Sequence, residues 1–494
     1  MTSPICEVDL VLVVYSISII ADQQKNNSLI TLFKAHVKIK THVFCLICQI
    51  FLVFLWQNYE VKQNIQSMIR NFWVKNYLSI SDKQELNFVT KSSASELAVE
   101  MPDGTCLYKL GVLYGSNASG KSNMLWALDE VFHLLTYPKA NANMKISRCI
   151  PFVLSKDEPT EMFVSFYAEG IRYDYQVSFD ANHIHSEELN YYPKGSKALF
   201  YERYYKGQNL QAEIKFGVSL RMSQKTQDSI RENTLNNHSV LSVCLKNTFK
   251  EDIEPLAKLH SYIMSHYHNV DGDTESRGIV VILKNAYRDD NKHKFFRQML
   301  KKADLNITDF RPILEDHSFS QDFREHVQNE DFPTSLKEDL LRPTVESVVF
   351  ENHSEKGVFD VPLKLQSKGT IKFIRILDTL YDLISGNHIY YLDELGEDLH
   401  YDLLFYYLNI FLYNSDQSQL LITSQETTLL SQDIINDNRG VVWFVDKNKD
   451  TASSEYSRGD SYGLHKNLSL YNSYRIGKLG AKPELGSIFV DLED

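Results

Sequence analysis

Cysteine is scarce: there are six in 494 residues, and only Cys45 and Cys48 lie close together. No second pair accompanies them, so neither a structural zinc module nor a disulfide-stapled secreted domain is expected, and a reducing cytoplasm is the expected compartment. Positive charge is also short, with 52 Lys and Arg against 64 Asp and Glu and a net charge of −12. That balance argues against a protein that coats nucleic acid by bulk charge, and leaves only a local basic groove for such a role. Long apolar runs are missing too. Leu10 to Ala21 and Val43 to Trp56 span 12 and 14 residues, short of the roughly 20 that cross a bilayer as a helix, so a membrane partner is not expected. There is no long heptad array, internal repeat or low-complexity linker, which excludes coiled-coil rods and solenoids.

What is present is concentrated in YGSNASGKSNMLWAL, Tyr114 to Leu128. The apolar run LYKLGVLYG leads into it, and SNMLWALDEVFHLL follows with apolar residues at helical spacing, so the context is strand, tight loop, helix. That context suits a phosphate-binding loop formed by Gly115, Ser116, Asn117, Ala118, Ser119, Gly120, Lys121 and Ser122. The glycines let successive N–H groups face phosphate, Lys121 reaches the outer phosphates, and the Ser122 hydroxyl is placed to ligate Mg²⁺. The expected ligand is a nucleotide with Mg²⁺, and the resemblance given below narrows the nucleotide to ATP. A plain glycine turn before a helix is the alternative reading.

Residues 1–67 differ from the rest and are expected to be an apolar extension, either upstream translation or dispensable, with a membrane anchor as the alternative. Met68 then opens MIRNFWVKNYLSISDKQELNF, whose alternation predicts a first strand and hairpin. The stretch EMFVSFYAEGIRYDYQVSF, Glu161 to Phe179, predicts two strands around a glycine turn. We therefore expect a first half over 68–212, a helical insertion over 213–342 and a second half over 343–494.

In the second half, HIYYLDEL is an apolar strand that delivers Asp393 and Glu394 at its carboxyl end, where ligands bind in parallel sheets. Asp393 is placed to hold Mg²⁺ through water, and Glu394 to polarise an attacking water. Upstream, LQSKGTIKFIRILDTLYDLI begins with Ser367 and Gly369 at a helix amino end. This is either a second phosphate-binding surface or an ordinary helix cap.

The order of SNASGKSN, QSKGT and YYLDEL resembles the ABC-type ATPase head of structural-maintenance and recombination-repair proteins. This implies an α/β fold, a mixed sheet with flanking helices, and an inserted helical subdomain. It also implies a homodimer or higher oligomer in which Ser367 and Gly369 contact ATP held by the other subunit. A closer similarity is to bacterial AAA-family ATP-binding proteins of the abortive-infection AbiL and RloA type, which include the ATPase of the PARIS phage-defence system. It rests on MIRNFWVKNYLSI, YGSNASGKSN, ELGEDLH, LLITSQETTLLS, VVWFVDKN and YRIGKLGAKP, and covers roughly Met68 to Leu485. It implies a slow ATPase that serves as switch and scaffold in antiphage defence, answering a phage protein trigger and holding a separate effector such as a Toprim-type nuclease. Many relatives carry histidine where this chain has Gln425, which can donate to the γ-phosphate but cannot shuttle a proton. A DNA repair or recombination ATPase is the alternative, since the head does not reveal its client.

Two other constellations carry less. His266, His268, Asp271 and Asp273 offer metal-binding residue types without further ligands at fixed spacing. Arg231 and His238 have a spacing used by some RNases, but arginine and histidine also occur together by chance. The 69 residues after Gln425 are too few for an ordinary appended nuclease domain, so any nuclease is expected to be a partner.

Overall fold

The computed structural model describes residues 67–483 apart from 92–94, 147–148, 206–211, 247–252, 271–275, 304, 317–325, 331, 334–336, 338–343 and 466. These residues all belong to the unit Asn64–Asp494. The apolar stretches 10–21 and 43–56, the pair Cys45 and Cys48, and Asp271 and Asp273 lie outside them.

The alternating residues after Met68 form the strand Met68–Lys75, which pairs antiparallel with Gln84–Asn87 on one side and Thr160–Ala168 on the other. The expected hairpin follows: Thr160–Ala168 turns through Glu169 and Gly170 into Ile171–Phe179. Both turn residues have positive φ, 50° and 73°, a backbone that glycine adopts at no cost. Ile184–Tyr191, Ala198–Tyr205 and Ala212–Phe216 complete a seven-stranded antiparallel sheet.

A second sheet of six strands has the order Tyr267–Val270, Ile389–Leu392, Gln419–Ser424, Leu110–Gly115, Val442–Lys447, Ser454–Arg458. The first five are parallel and the last is antiparallel. Its four inner strands are near-continuous apolar runs because both faces are covered, as parallel sheets require. Leu113, Tyr391, Leu421 and Trp443 face a core shared with the helix Lys121–Thr136 and the antiparallel sheet. Their neighbours Val112, Leu392, Ile422 and Phe444 face a second core. That core is closed by the helices Ser276–Arg288, Asp290–Lys302, Lys368–Ser385 and Tyr401–Asn414, through residues such as Leu283, Phe296, Leu377 and Phe411. Each such side chain contributes about 1.5–3 kcal/mol on burial.

A buried amide helps to stitch the two large sheets together. Gln419 accepts from the Ile69 N–H at 2.7 Å and donates to the carbonyls of Ile69 and Tyr108 at 3.1 and 3.0 Å. This satisfies strand-end backbone groups that burial would otherwise leave unpaired.

The stretch 213–342 is helical only in part. Gln224–Asn233, Glu254–His266, Ser276–Arg288 and Asp290–Lys302 are helices, but Ala212–Phe216 extends the antiparallel sheet and Tyr267–Val270 is the edge strand of the parallel one. Ile307–Asp316 pairs antiparallel with Thr344–Ser354, which pairs with Gly357–Pro362.

Candidate functional site

The strand Leu110–Gly115 ends in a loop whose shape depends on its glycines. A Cβ on Gly115 would collide with the Ser119 hydroxyl and the Val445 carbonyl, and one on Gly120 with the hydroxyls of Ser454 and Ser79. Gly120 also has φ 109°, open to glycine and strained for any other residue, and Ala118 has φ 61°. Asn117 and Ala118 are exposed at the loop tip, Ser116 is half-buried, and Ser119 is buried with its N–H donating to the Ser116 carbonyl at 3.2 Å. Gly120 is the N-cap of Lys121–Thr136, so the loop lies at the positive end of that helix. Ser122 stands half-buried in its first turn.

Lys121 folds back over this loop. Its ammonium donates to the carbonyls of Gly115 and Ser116 at 2.9 and 3.0 Å. Burial pushes its pKa below the usual lysine value, while the negative charges of Glu394 and then Asp393 pull it back up. The acidic strand end thus lies within electrostatic reach of the loop lysine.

That meeting is built by strand order. Gln419–Ser424 lies between the loop strand and Ile389–Leu392, with Leu392 opposite Ile422 and Leu113 opposite Thr423. Beyond Leu392 the chain leaves the sheet, and Glu394 takes a left-handed backbone at φ 47°. The Thr423 hydroxyl donates to Asp393 Oδ1 at 2.5 Å and accepts the Glu394 N–H at 2.7 Å. Just after the strand, exposed Gln425 donates through Nε2 to Glu394 Oε1 at 2.7 Å.

A second set of side chains braces the loop from Ser454–Arg458 and from the first hairpin. Ser454 donates to the Ser119 carbonyl and Tyr456 to the Gly120 carbonyl, each at 2.5 Å. Ser79 shares a 2.6 Å hydrogen bond with Ser454 and accepts from Asn123 at 2.6 Å. Thr423, Ser79, Ser454 and Tyr456 received no role in the sequence reading: Thr423 and Ser79 lie inside quoted motifs, but each is a single polar residue whose partner is distant in sequence. The one visible signal was a threonine just before the end of LLITS.

Ser367 and Gly369 sit elsewhere. The Ser367 hydroxyl accepts the Thr370 N–H at 3.0 Å as the N-cap of Lys368–Ser385, the plainer of the two sequence readings. A Cβ on Gly369 would come within 2.9 Å of the Asp398 carbonyl, so this helix start is pressed against the turn that follows Glu394. Among the described residues no cluster of three or more His, Cys, Asp or Glu could hold a metal ion. His266 and His268 instead pack around His388, with His268 Nε2 3.2 Å from His388 Nδ1. Arg231 bonds Asp228, Gln227 and the Ile214 carbonyl, while His238 is buried and its carbonyl accepts from Arg203. Neither pair is drawn into a reactive arrangement. No helix among the described residues is long and apolar enough to cross a membrane.

The residues fit Mg·ATP: a loop that tolerates no Cβ at Gly115 or Gly120, a helix amino end, and a lysine facing two carboxylates. Comparison with known proteins agrees with this chemistry. A family model described as an AAA domain, putative AbiEii toxin, Type IV TA system, matches residues 110–431. No curated protein matches. Among solved structures, the chain is similar to the SMC head domain from Thermotoga maritima, at 13% identity and TM-score 0.35, covering 79% of this chain and 98% of that one. It is also similar to an SMC head bound to the C-winged helix domain of ScpA, at 14% identity and TM-score 0.36, covering 82% and 99%. A third is the Smc head with an extended coiled coil bound to the C-terminal domain of ScpA derived from Pyrococcus furiosus, at 12% and 0.34, covering 83% and 99%. The fold class is the expected α/β one, a mixed sheet with flanking helices, and the family shown is the AAA-domain one.

Proposed function

Because the chain belongs to this AAA-domain family, we propose that it binds Mg·ATP at the loop Gly115–Ser122 and hydrolyses it slowly, as a nucleotide-controlled switch and scaffold in antiphage defence. The observation that carries the reading is the facing of Lys121 by Glu394 and Asp393 across one strand.

In this reading the loop N–H groups and the Lys121 ammonium bind the phosphates, and the Ser122 hydroxyl and Asp393 hold the metal. Bound Mg²⁺ supplies positive charge against the outer phosphate oxygens. Glu394 orients a water in line with the γ-phosphate and accepts its proton at the carboxylate. Gln425 holds Glu394 through Oε1 and cannot itself become cationic, which favours slow turnover. Ser367 and Gly369 complete the site of a second copy, so that ATP joins two heads in a homodimer or larger assembly. The family description, with its toxin term, supports an abortive-infection assignment; the AbiL and RloA branch rests on the sequence motifs quoted above. A separate effector such as a Toprim-type nuclease and a phage protein trigger belong to that assignment. A DNA repair or recombination ATPase is the alternative.

The test is paired. Bacteria carrying the full chain with its neighbouring genes are challenged with phage and, separately, with DNA-damaging agents. Phage plating that falls with the intact chain and recovers with Lys121→Ala supports defence; damage sensitivity that tracks Lys121 while plating does not overturns it.

A further inference from the structure

We infer that Thr423 is a positioning residue of the ATP site, the joint that fixes the two acidic residues in different roles. The inference rests on the nucleotide reading above and names a group that lies outside the phosphate loop, the acidic pair and the helix start at Ser367.

The argument begins with the hydroxyl itself. A threonine has one proton to donate and lone pairs to accept with. The Glu394 N–H can only donate, and an ionised Asp393 can only accept, so the bonds at 2.7 and 2.5 Å allow a single arrangement. The proton points at Asp393 Oδ1, and the oxygen receives the amide. Thr423 is fully buried, β-branched and held in a strand paired on both sides, so the hydroxyl has little freedom to turn elsewhere.

Two consequences follow. Asp393 is oriented by a bond to one of its oxygens, the relation by which outer-shell partners set the geometry of a metal-binding carboxylate. At Glu394, the bond engages the backbone N–H at the left-handed turn of φ 47°. That conformation costs a non-glycine residue energy, and persists where surrounding bonds over-determine it. The turn aims the Glu394 side chain at Gln425 and away from its neighbour's role. One hydroxyl thus ties the metal-side carboxylate to the backbone of the water-side carboxylate. It does so from the strand that also borders the phosphate loop, where Thr423 stands opposite Leu113.

The experiment uses the full chain and three variants. Thr423→Val keeps the β-branched shape and removes both bonds, Thr423→Ser restores the hydroxyl, and Asp393→Asn alters the acceptor. Two quantities are read: the Mg²⁺ concentration that half-maximally restores ATP-dependent thermal stabilisation, and the ATPase kcat and KM. Thr423→Val should raise the Mg²⁺ midpoint and lower kcat, each by about 10- to 100-fold. ATP binding without metal should stay unchanged, and Thr423→Ser should return both quantities to within a few-fold of wild type. In an Asp393→Asn background, adding Thr423→Val should shift the midpoint little further, because its effect on the metal passes through Asp393. Should Thr423→Val not fold, Thr423→Ala, which also removes both bonds, is read the same way. A Thr423→Val or Thr423→Ala protein with wild-type Mg²⁺ midpoint and kcat overturns the inference. A wild-type chain that neither binds nor hydrolyses ATP instead overturns the nucleotide reading beneath it.

Discussion

Gln425 Nε2 donates to Glu394 Oε1 at 2.7 Å, so the amide expected to meet the γ-phosphate rests on the proposed base. A neutral amide holds the carboxylate without altering its charge. Gln425→Glu would set a second carboxylate at the same place, and like-charge repulsion would drive the two side chains apart. Turnover should fall, because Glu394 loses the bond that holds it. Turnover equal to wild type would mean that the two side chains do not meet in the working enzyme.

His388 gives a pH signature, away from the nucleotide. Burial first, and then repulsion from His268, lowers its pKa to about 4, while Asp382 opposes the shift and His266 adds to it. A histidine near 6.5 when unfolded and near 4 when folded binds more protons in the unfolded chain. Its contribution is complete above pH 6.5 and is lost as pH falls through 4. With discount for its partial exposure, the loss should be about 1–2 kcal/mol. Thermal melts from pH 7 to 4 should show a shallower decline for His388→Asn than for wild type. Parallel curves would contradict the assignment.

The shared-site model is tested by complementation. Gly369→Glu puts bulk and charge at a helix start already 2.9 Å from the Asp398 carbonyl for a bare Cβ, so its fold must first be verified by circular dichroism. It should abolish ATP-driven association and hydrolysis while single-chain ATP binding persists. Mixed with Lys121→Ala, it forms dimers with one site carrying both defects and one carrying neither, so partial ATPase activity should return. If demonstrated mixed dimers stay inactive, the two sites are either not shared or obligately coupled, and Ser367 is a helix cap alone.

What was legible in the sequence was contiguous. Gly115 to Ser122 is one loop between one strand and one helix, and Asp393 and Glu394 close an apolar run, so local pattern sufficed. The first hairpin and the pair around Gly170 were visible because strand alternation has a period of two. The edge strand Tyr267–Val270 was not: YHNV is short and half polar, and it pairs with Ile389–Leu392 more than a hundred residues away. Ile307–Asp316 carries Pro312, which weakens a strand reading, yet it is an edge strand where proline is tolerated. Thr423 and the Ser79–Ser454 brace depend on register between distant strands, and no local spacing reports that.

The central claim, that Lys121 binds ATP phosphates while Glu394 activates water, is tested most directly by equilibrium ATP binding beside single-turnover hydrolysis. Lys121→Ala removes the cation and should weaken ATP binding by at least about tenfold, equivalent to about 1.4 kcal/mol. Glu394→Gln keeps the shape and should bind ATP as tightly as wild type while hydrolysing it on the order of a hundredfold or more slowly, the scale of a lost general base. Equal ATP affinity in wild type and Lys121→Ala, or undiminished hydrolysis in Glu394→Gln, would contradict the account.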